Sequence, residues 1–290
     1  MPFRTMLFAP GNHPRKVEKV FDAGADAVIL DLEDAVAIAE KPASRAVVLA
    51  AMQQPRRCLG YIRVNGMETE FCYGDIHAVV QPGVDGIILP KAESADQLKT
   101  VDWLITQLER DRGMAAGAID LIPIIETGKG LKALGELASA SARVKRLSYG
   151  AGDFTLDMGI RWSLGEAELA TARAAFVMES RAAELEPPID TVFIHLNEEG
   201  AFAASAETVR NMGFQGKLCI HPKQIVPAHD VFTPSVDEIA YAEKVVAAFD
   251  AAEAAGSASI QIDGYFVDYP IVEKARRTLA LAEAIAGSAG

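Results

Sequence analysis

The sequence predicts a (β/α)8 barrel followed by a C-terminal extension, and three observations predict it. Short apolar runs alternate with longer amphipathic stretches, the pattern of buried parallel strands covered by helices. Eight such runs precede residue 235, the number that closes a barrel. The length of 290 residues fits one barrel with an appendage, and half of the residues are hydrophobic, enough to fill its core.

The expected strands are 5–8, 27–31, 59–63, 86–90, 120–125, 146–150, 191–194 and 217–220. The first unit shows the logic. Asn12 or His13 can cap a helix, Pro14 suits its first turn, and Val17, Val20, Phe21 and Ala25 share one face before Gly24 ends it. The run DAVILD at 26–31 then has a wholly apolar middle, as in a strand covered on both sides. After the eighth run, 238–255 reads as an Ala-rich helix and GSAS as a flexible break. In SIQIDGYFVDYP, Asp263-Gly264 between β-prone flanks signals a tight hairpin, and helical period returns over 271–286. The expected organisation is a barrel over 1–235 and an extension or lid over 236–290, able to cover a mouth, its own or a neighbour's.

A net charge of -12 and a pI near 4.9 oppose general attraction to nucleic acid or anionic lipid and favour small-molecule chemistry. Cys58, Cys72 and Cys219 are odd in number and lack the paired spacing of a zinc site, so they read as reduced thiols of a cytoplasmic protein. The apolar segment in MPFRTMLFAP is too short for a signal sequence, and no later run reaches the roughly 18 apolar residues of a membrane span. Neither export nor membrane insertion is expected.

In such barrels the active site lies at the C-terminal ends of the strands, so the polar residues that end the apolar runs carry the information. The second run ends in Asp31-Leu32-Glu33-Asp34, the third in Arg63-Val64-Asn65, the fourth in Pro90-Lys91 and the fifth in Glu126-Thr127. The sixth leads into Gly150-Ala151-Gly152-Asp153. Glu126 and Asp153 can supply oxygen ligands to a hard cation, Mg2+ being the natural candidate. They also suit a helix cap and the closure of a Gly-rich turn. Arg63 can clamp a carboxylate with its planar fork or pair with the DLED acids, and the two roles are compatible. Asp31, Glu33 and Asp34 are expected as supports. The loop PGNHPRK brings Arg15 and Lys16 to a helix start, with Arg4 just before the first strand; this is either a phosphate site or a solvated helix end. Lys91 is a mouth cation or a surface charge. His221, before a proline, reads as structural, and Asp268 as a helix cap whose function depends on what the hairpin covers.

Taken in order, LFAPGNHPRK, DAVILDLEDAV, YIRVNG, VDGIILPKAES, LIPIIETGKG, LSYGAGDFTLDMG, GKLCIHPKQI and DGYFVDYPIVEKAR resemble the citrate lyase β-subunit-like family of the HpcH/HpaI aldolase group. That group includes malyl-CoA and citramalyl-CoA lyases. The resemblance implies a TIM barrel of the phosphoenolpyruvate/pyruvate type and a Mg2+-dependent carbon–carbon lyase. Its substrate would be a 3-hydroxyacyl-CoA thioester, cleaved to acetyl-CoA or a related acyl-CoA and a 2-keto acid by a homotrimer or hexamer. It also implies residue roles: Glu126 and Asp153 as Mg2+ ligands, Arg63, Glu126 and Gly152 at the substrate, and Arg15, Lys16, Arg4 and Lys91 at the CoA phosphates. Asp268 of a neighbouring subunit would act on the acetyl carbon. Alternatives on the same scaffold are a hydroxyacyl-CoA thioesterase, a lyase subunit served by an acyl carrier protein and, with the chemistry lost, a non-catalytic binding protein. One departure stands out: Ile194-His195 occupies positions where the family tends toward a Thr-Asp pair, which alters the rim of the mouth.

Overall fold

In the computed structural model, which describes residues 3–288, eight parallel strands close into a barrel in chain order. They are β1 (Thr5–Pro10), β2 (Ala27–Asp31), β3 (Leu59–Arg63), β4 (Gly86–Leu89), β5 (Asp120–Ile125), β6 (Ser148–Tyr149), β7 (Ile189–Asp190) and β8 (Gly216–Cys219). Helices cover them: α1 (Pro14–Lys19), α2 (Lys41–Met52), α3 (Cys72–Val79), α4 (Ala95–Asp111), α5 (Gly128–Lys132) and α6 (Leu134–Ala138). The outer layer continues with α7 (Ala151–Asp157), α8 (Ala170–Ala182), α9 (Glu199–Met212) and α10 (Ile225–Phe232). In the first unit His13 takes the N-cap position and Pro14 the first turn of α1, while Asn12 donates its amide to Glu40 Oε2 at 2.7 Å. Gly24, at φ 83°, ends the segment in the left-handed region.

Alternate strand residues fill the barrel interior, among them Met6, Ile29, Tyr61, Ile122 and Leu218. The Tyr61 ring occupies the space that a Cβ at Gly86 would need, so β4 must begin with glycine. At the N-terminal end, Asp120 accepts from the Tyr61 hydroxyl at 2.9 Å and from Arg146, whose guanidinium lies 4.5 Å from the Phe3 ring centroid. Buried polar groups there are therefore matched to one another.

The seventh strand corrects the sequence expectation: it is Ile189–Asp190, and 191–194 follows it without strand pairing. The reason is a buried ionic cluster that a hydropathy reading misses. Asp190 accepts from Arg173 Nε at 2.9 Å, Arg173 Nη2 at 3.0 Å and Lys217 Nζ, and Arg173 also donates to Glu166 at 2.7 Å. Asp190 and Lys217 are fully buried, so a charged residue stands where an apolar run was sought.

The chain divides into two compact units, Phe3–His229 and a second beginning at Asp230, and α10 crosses the division. The second unit contains α11 (Val236–Ala254), β9 (Ile260–Ile262), β10 (Tyr265–Val267) and α12 (Tyr269–Ser288). Ser235 and Glu238 form a capping box that starts α11 two residues before the expected 238. Asp263 and Gly264, both at positive φ, make the hairpin turn, and Val245, Phe249, Ile262, Val267 and Val272 form this unit's core. No helix among the described residues is long and apolar enough to cross a membrane.

Removing one member of the buried cluster leaves an uncompensated charge. Asp190→Ala is expected to cost about 3–5 kcal/mol in urea denaturation. Arg276→Ala, which breaks an exposed pair with Asp250, should cost about 0–1 kcal/mol. Equal effects of the two substitutions would contradict this assignment.

Candidate active site

Strand register brings the functional side chains to one mouth. Asp31 and Arg63 are the last residues of β2 and β3 and pair directly across the sheet. Lys91 and Glu126 follow β4 and β5, and Asp153 lies in the first turn of α7, just after β6. Arg63 donates from Nε and Nη2 to the two oxygens of Asp31 at 2.7 and 2.6 Å, and its Nη1 lies 2.9 Å from Glu33 Oε2. A guanidinium has five N–H groups, so this leaves an edge for a ligand. Both sequence roles of Arg63 are thus geometrically compatible. Burial alone would push the Asp31 carboxyl up, but the Arg63 charge and hydrogen bonds outweigh it and hold Asp31 below its ordinary value.

The DLED turn is held from beneath. Lys41 Nζ donates to the Leu32 and Glu33 carbonyls at 3.2 and 2.7 Å and to Asn65 Oδ1 at 2.5 Å. Asn65 in turn donates to the buried Asp75 at 2.6 Å. Glu33 Oε1 accepts from Lys91 Nζ at 2.8 Å. Burial would lower the Lys91 pKa, but its hydrogen bond to Glu33 and the charges of Glu33, Asp34 and Asp153 raise it, so the ammonium stays charged. Lys91 has φ 51°, a left-handed conformation that a lysine adopts at a cost. That conformation accompanies a 2.9 Å hydrogen bond from its N–H to Glu126 Oε1.

Glu126 is a strongly perturbed acid of the mouth. It is 3% exposed, and burial, then the charges of Glu33 and Asp153, push its carboxyl up to about 8 against the opposing pull of Arg63. It does not cap α5: Thr127 does, its Oγ1 accepting from Gly130 N at 3.0 Å. Nor does Asp153 close a turn, since its carboxylate makes no hydrogen bond or ion pair among the described residues. Gly150 is required here, because a Cβ would lie 2.5 Å from Glu126 Oε2 and 2.7 Å from its Cβ. Ala151 N donates to Thr191 Oγ1 at 2.8 Å, fixing the start of α7.

This donor set fits Mg2+. Asp31, Glu33, Asp34, Glu126 and Asp153 share the mouth with the cations Arg63 and Lys91, an excess of negative charge on hard oxygen atoms. Among the described residues no group of three or more His, Cys, Asp or Glu side chains is arranged to hold an ion. Two carboxylates with the remaining positions left to water and substrate is the usual arrangement for Mg2+.

The other residues singled out by sequence are placed as follows. Arg4 is a correction: it precedes β1, at the end of the barrel opposite the mouth, and its Nε and Nη2 bind Asp26 at 3.0 and 2.6 Å, so it cannot join the phosphate-binding cations of this mouth. Arg15 and Lys16 are exposed on α1, just beyond β1. Gly152 is exposed, with no atom within 4 Å of where a Cβ would stand. His221 is structural, its Nδ1 accepting from Lys223 N at 3.2 Å. Asp268, in the second unit, is half-buried just before α12, and its carbonyl accepts from Ile271 and Val272 N at 3.1 and 3.0 Å. Sequence reasoning missed Phe8, whose ring centroid lies 4.9 Å from the Arg63 guanidinium, as well as Thr191 and the Lys41–Asn65–Asp75 chain. The polar groups that end β3 and follow β7 were the available signal.

Comparison with known proteins identifies the family. The family model described as HpcH/HpaI aldolase/citrate lyase matches residues 4–222. The citrate lyase subunit beta of Leuconostoc mesenteroides subsp. cremoris is 37% identical, over 97% of this chain and 93% of its own. A (3S)-malyl-CoA thioesterase of Cereibacter sphaeroides is 34% identical, over 98% and 96% of the two chains. The crystal structure of CitE from Mycobacterium tuberculosis in complex with magnesium, acetoacetate and coenzyme A superposes with a TM-score of 0.79 at 27% identity, covering 97% of this chain and 98% of that one. The chain is a lyase-type enzyme and belongs to the HpcH/HpaI aldolase/citrate lyase family.

Proposed function

We propose that this enzyme is a Mg2+-dependent carbon–carbon lyase that cleaves a 3-hydroxyacyl-CoA thioester, of the malyl-CoA or citramalyl-CoA kind, into a 2-keto acid and an acyl-CoA. The observation that carries the proposal is the acid-rich mouth, in which a buried Glu126 and an unpartnered Asp153 stand beside the free edge of Arg63. The relation to citrate lyase beta subunits and to a CitE that binds magnesium, acetoacetate and coenzyme A supports it.

Glu126 and Asp153 would hold the ion, which when bound would supply charge stabilisation to the oxygen that becomes the keto group. Arg63 binds the carboxylate of the same fragment, pre-oriented by Asp31 and Glu33 so that little freedom is lost on binding. Gly152 adds no side chain to the first turn of α7 and leaves room for substrate. In the cleavage direction the C2–C3 bond breaks, its electron pair passes to C2, and the C3 hydroxyl becomes the keto oxygen as its proton passes to solvent. Asp268 delivers a proton to C2, so the hydroxyl proton is balanced by a new C–H bond. By the resemblance of the VDYP segment, Asp268 comes from a neighbouring copy in a homotrimer or hexamer. Arg15 and Lys16 attract the CoA phosphates, and the enzyme works in the cytoplasm, in keeping with three free cysteines.

The raised Glu126 pKa gives the metal site a pH signature. Its proton is bound more tightly in the folded chain, so without metal its contribution to stability is present below about pH 4.5 and is lost as pH rises through about 8. Mg2+ competes with that proton. In a MgCl2 titration followed by thermal unfolding, the half-saturating concentration should fall about tenfold per pH unit from pH 6 to 8 and then level off. Glu126→Gln and Asp153→Asn should abolish the Mg2+-dependent rise in Tm, and a pH-independent Mg2+ affinity would count against the site.

Asp268→Asn should retain acyl-CoA binding but lose deuterium exchange at the acetyl methyl of acetyl-CoA, about 10²–10⁴-fold. Undiminished exchange removes Asp268 from the chemistry. Mixing that variant with Arg63→Ala should restore part of the activity, and no complementation would place both residues' work within one chain.

A second reading, favoured by the 34% identical malyl-CoA thioesterases, is hydrolysis of the same thioester. Product analysis with malyl-CoA and citramalyl-CoA separates the two: a lyase releases a keto acid with an acyl-CoA, a thioesterase free CoA and the hydroxy acid. The 37% identical citrate lyase subunit raises carrier-bound thioesters as a third substrate form, and turnover with an acyl carrier protein but not with CoA esters would identify it.

A further inference from the structure

α7 is seven residues long, too short to hold its geometry alone, and its N-cap residue, Gly150, has no side chain to cap it. Asp153 lies in the first turn of α7, and its carboxylate makes no hydrogen bond or ion pair among the described residues. The backbone at the start of α7 therefore places that carboxylate. Two successive N–H groups fix this start in two directions. Gly150 N donates to the carbonyl of Ile125, the residue before Glu126, at 3.1 Å, and Ala151 N donates to Thr191 Oγ1 at 2.8 Å. Ala151 and Thr191 are both buried, so water offers no substitute for the second bond.

Thr191 is itself anchored on both sides. Before it, Asp190 is bound by Arg173 of α8 and Lys217 of β8, and Arg173 also holds Glu166, in the stretch between α7 and α8. Glu166 takes a left-handed conformation at φ 53° while buried, the kind of strain that persists where neighbouring contacts over-determine it. After Thr191, Gln224 donates to the Phe193 carbonyl at 2.8 Å. Buried ion pairs add little stability over apolar residues of similar volume. Their effect here is geometric, because they fix the residue that receives the first N–H of α7.

We propose that Thr191 is a positioning residue of the metal site: through the Ala151 N–H it sets where Asp153 stands relative to Glu126, without itself touching ion or substrate. The inference rests on the reading of Glu126 and Asp153 as Mg2+ ligands. Mg2+ demands near-ideal octahedral geometry, so displacing one of two protein carboxylates costs affinity. Groups that orient ligands from behind typically change metal affinity about 10–100-fold when removed.

The test is a MgCl2 titration followed by thermal unfolding at one fixed pH. Thr191→Val keeps the shape of the side chain but removes the acceptor, and it should raise the half-saturating Mg2+ concentration about tenfold. Thr191→Ser keeps the hydroxyl and should keep the wild-type value. Tyr61→Phe serves as the control: it removes one buried hydrogen bond, to Asp120, at the other end of the barrel. It should lower the metal-free Tm and leave Mg2+ affinity unchanged. A Thr191→Val protein whose metal-free Tm falls while its Mg2+ affinity stays that of the wild type overturns the proposal, since Thr191 then only packs. An equal loss of affinity in Tyr61→Phe also overturns it, by tying Mg2+ binding to stability in general. If Thr191→Val does not fold, Thr191→Ala removes the same acceptor and is read in the same way. The ligand assignment fails separately: if Mg2+ does not raise the wild-type Tm, or Asp153→Asn binds Mg2+ as the wild type does, that reading falls and the inference with it.

Discussion

The mouth depends on one pairing, the guanidinium of Arg63 against the carboxylate of Asp31. Register puts the two residues side by side at the ends of adjacent strands, and two parallel hydrogen bonds fix the plane of the fork. Everything further around the rim follows from that plane. Glu33 meets the third guanidinium nitrogen and receives Lys91, and the Lys91 backbone reaches Glu126 from a left-handed conformation. Gly150 leaves Glu126 the space it needs, and the chain then turns into α7 and presents Asp153. A change at β2 or β3 would therefore be felt at β5 and β6, through contacts and not through distance.

Glu126 is the costly member of this chain of contacts. Three carboxyl groups of the chain are buried, and the charges nearest Glu126 are mostly of its own sign. Asp31 and Glu33 are compensated by Arg63 and Lys91, so it is Glu126, beside the charges of Glu33 and Asp153, whose compensation the proposed reaction leaves to a bound cation. The fixed donors and acceptors then need no rearrangement as charge develops, which is the main source of electrostatic catalysis. The strain at Lys91 fits the same picture, since strained backbone persists where surrounding contacts over-determine it.

The barrel was legible because its strands are short apolar runs of even spacing. Seven of the eight expected runs contain or overlap the observed strands, and the exception has a physical cause. β7 carries Asp190, whose charge is cancelled by Arg173 and Lys217 from elsewhere in the chain, and no local window contains that information. The polar residues that end the strands were equally legible, because a charged residue directly after a buried run has few places to go except the mouth. Arg4 misled for the opposite reason: it adjoins the first loop in sequence but stands at the other end of a strand, so proximity along the chain was mistaken for proximity in space. The start of α11 was two residues early because the Ser235–Glu238 capping box outweighed the apolar period that set the expected boundary.

The Ile194-His195 departure gains its meaning from the contacts that surround it. As a dipeptide it sets an apolar residue beside an imidazole. The packing separates them. Phe193 meets Phe202 of α9 and His195 stacks on Phe193, while Val192 packs on the barrel interior. The register is held by Thr191, whose hydroxyl receives the first N–H of α7, and by Gln224, which donates to the Phe193 carbonyl at 2.8 Å. The first of those bonds ties the segment after β7 to the helix that carries Asp153, so its path and the placement of a candidate metal ligand are set by the same few residues.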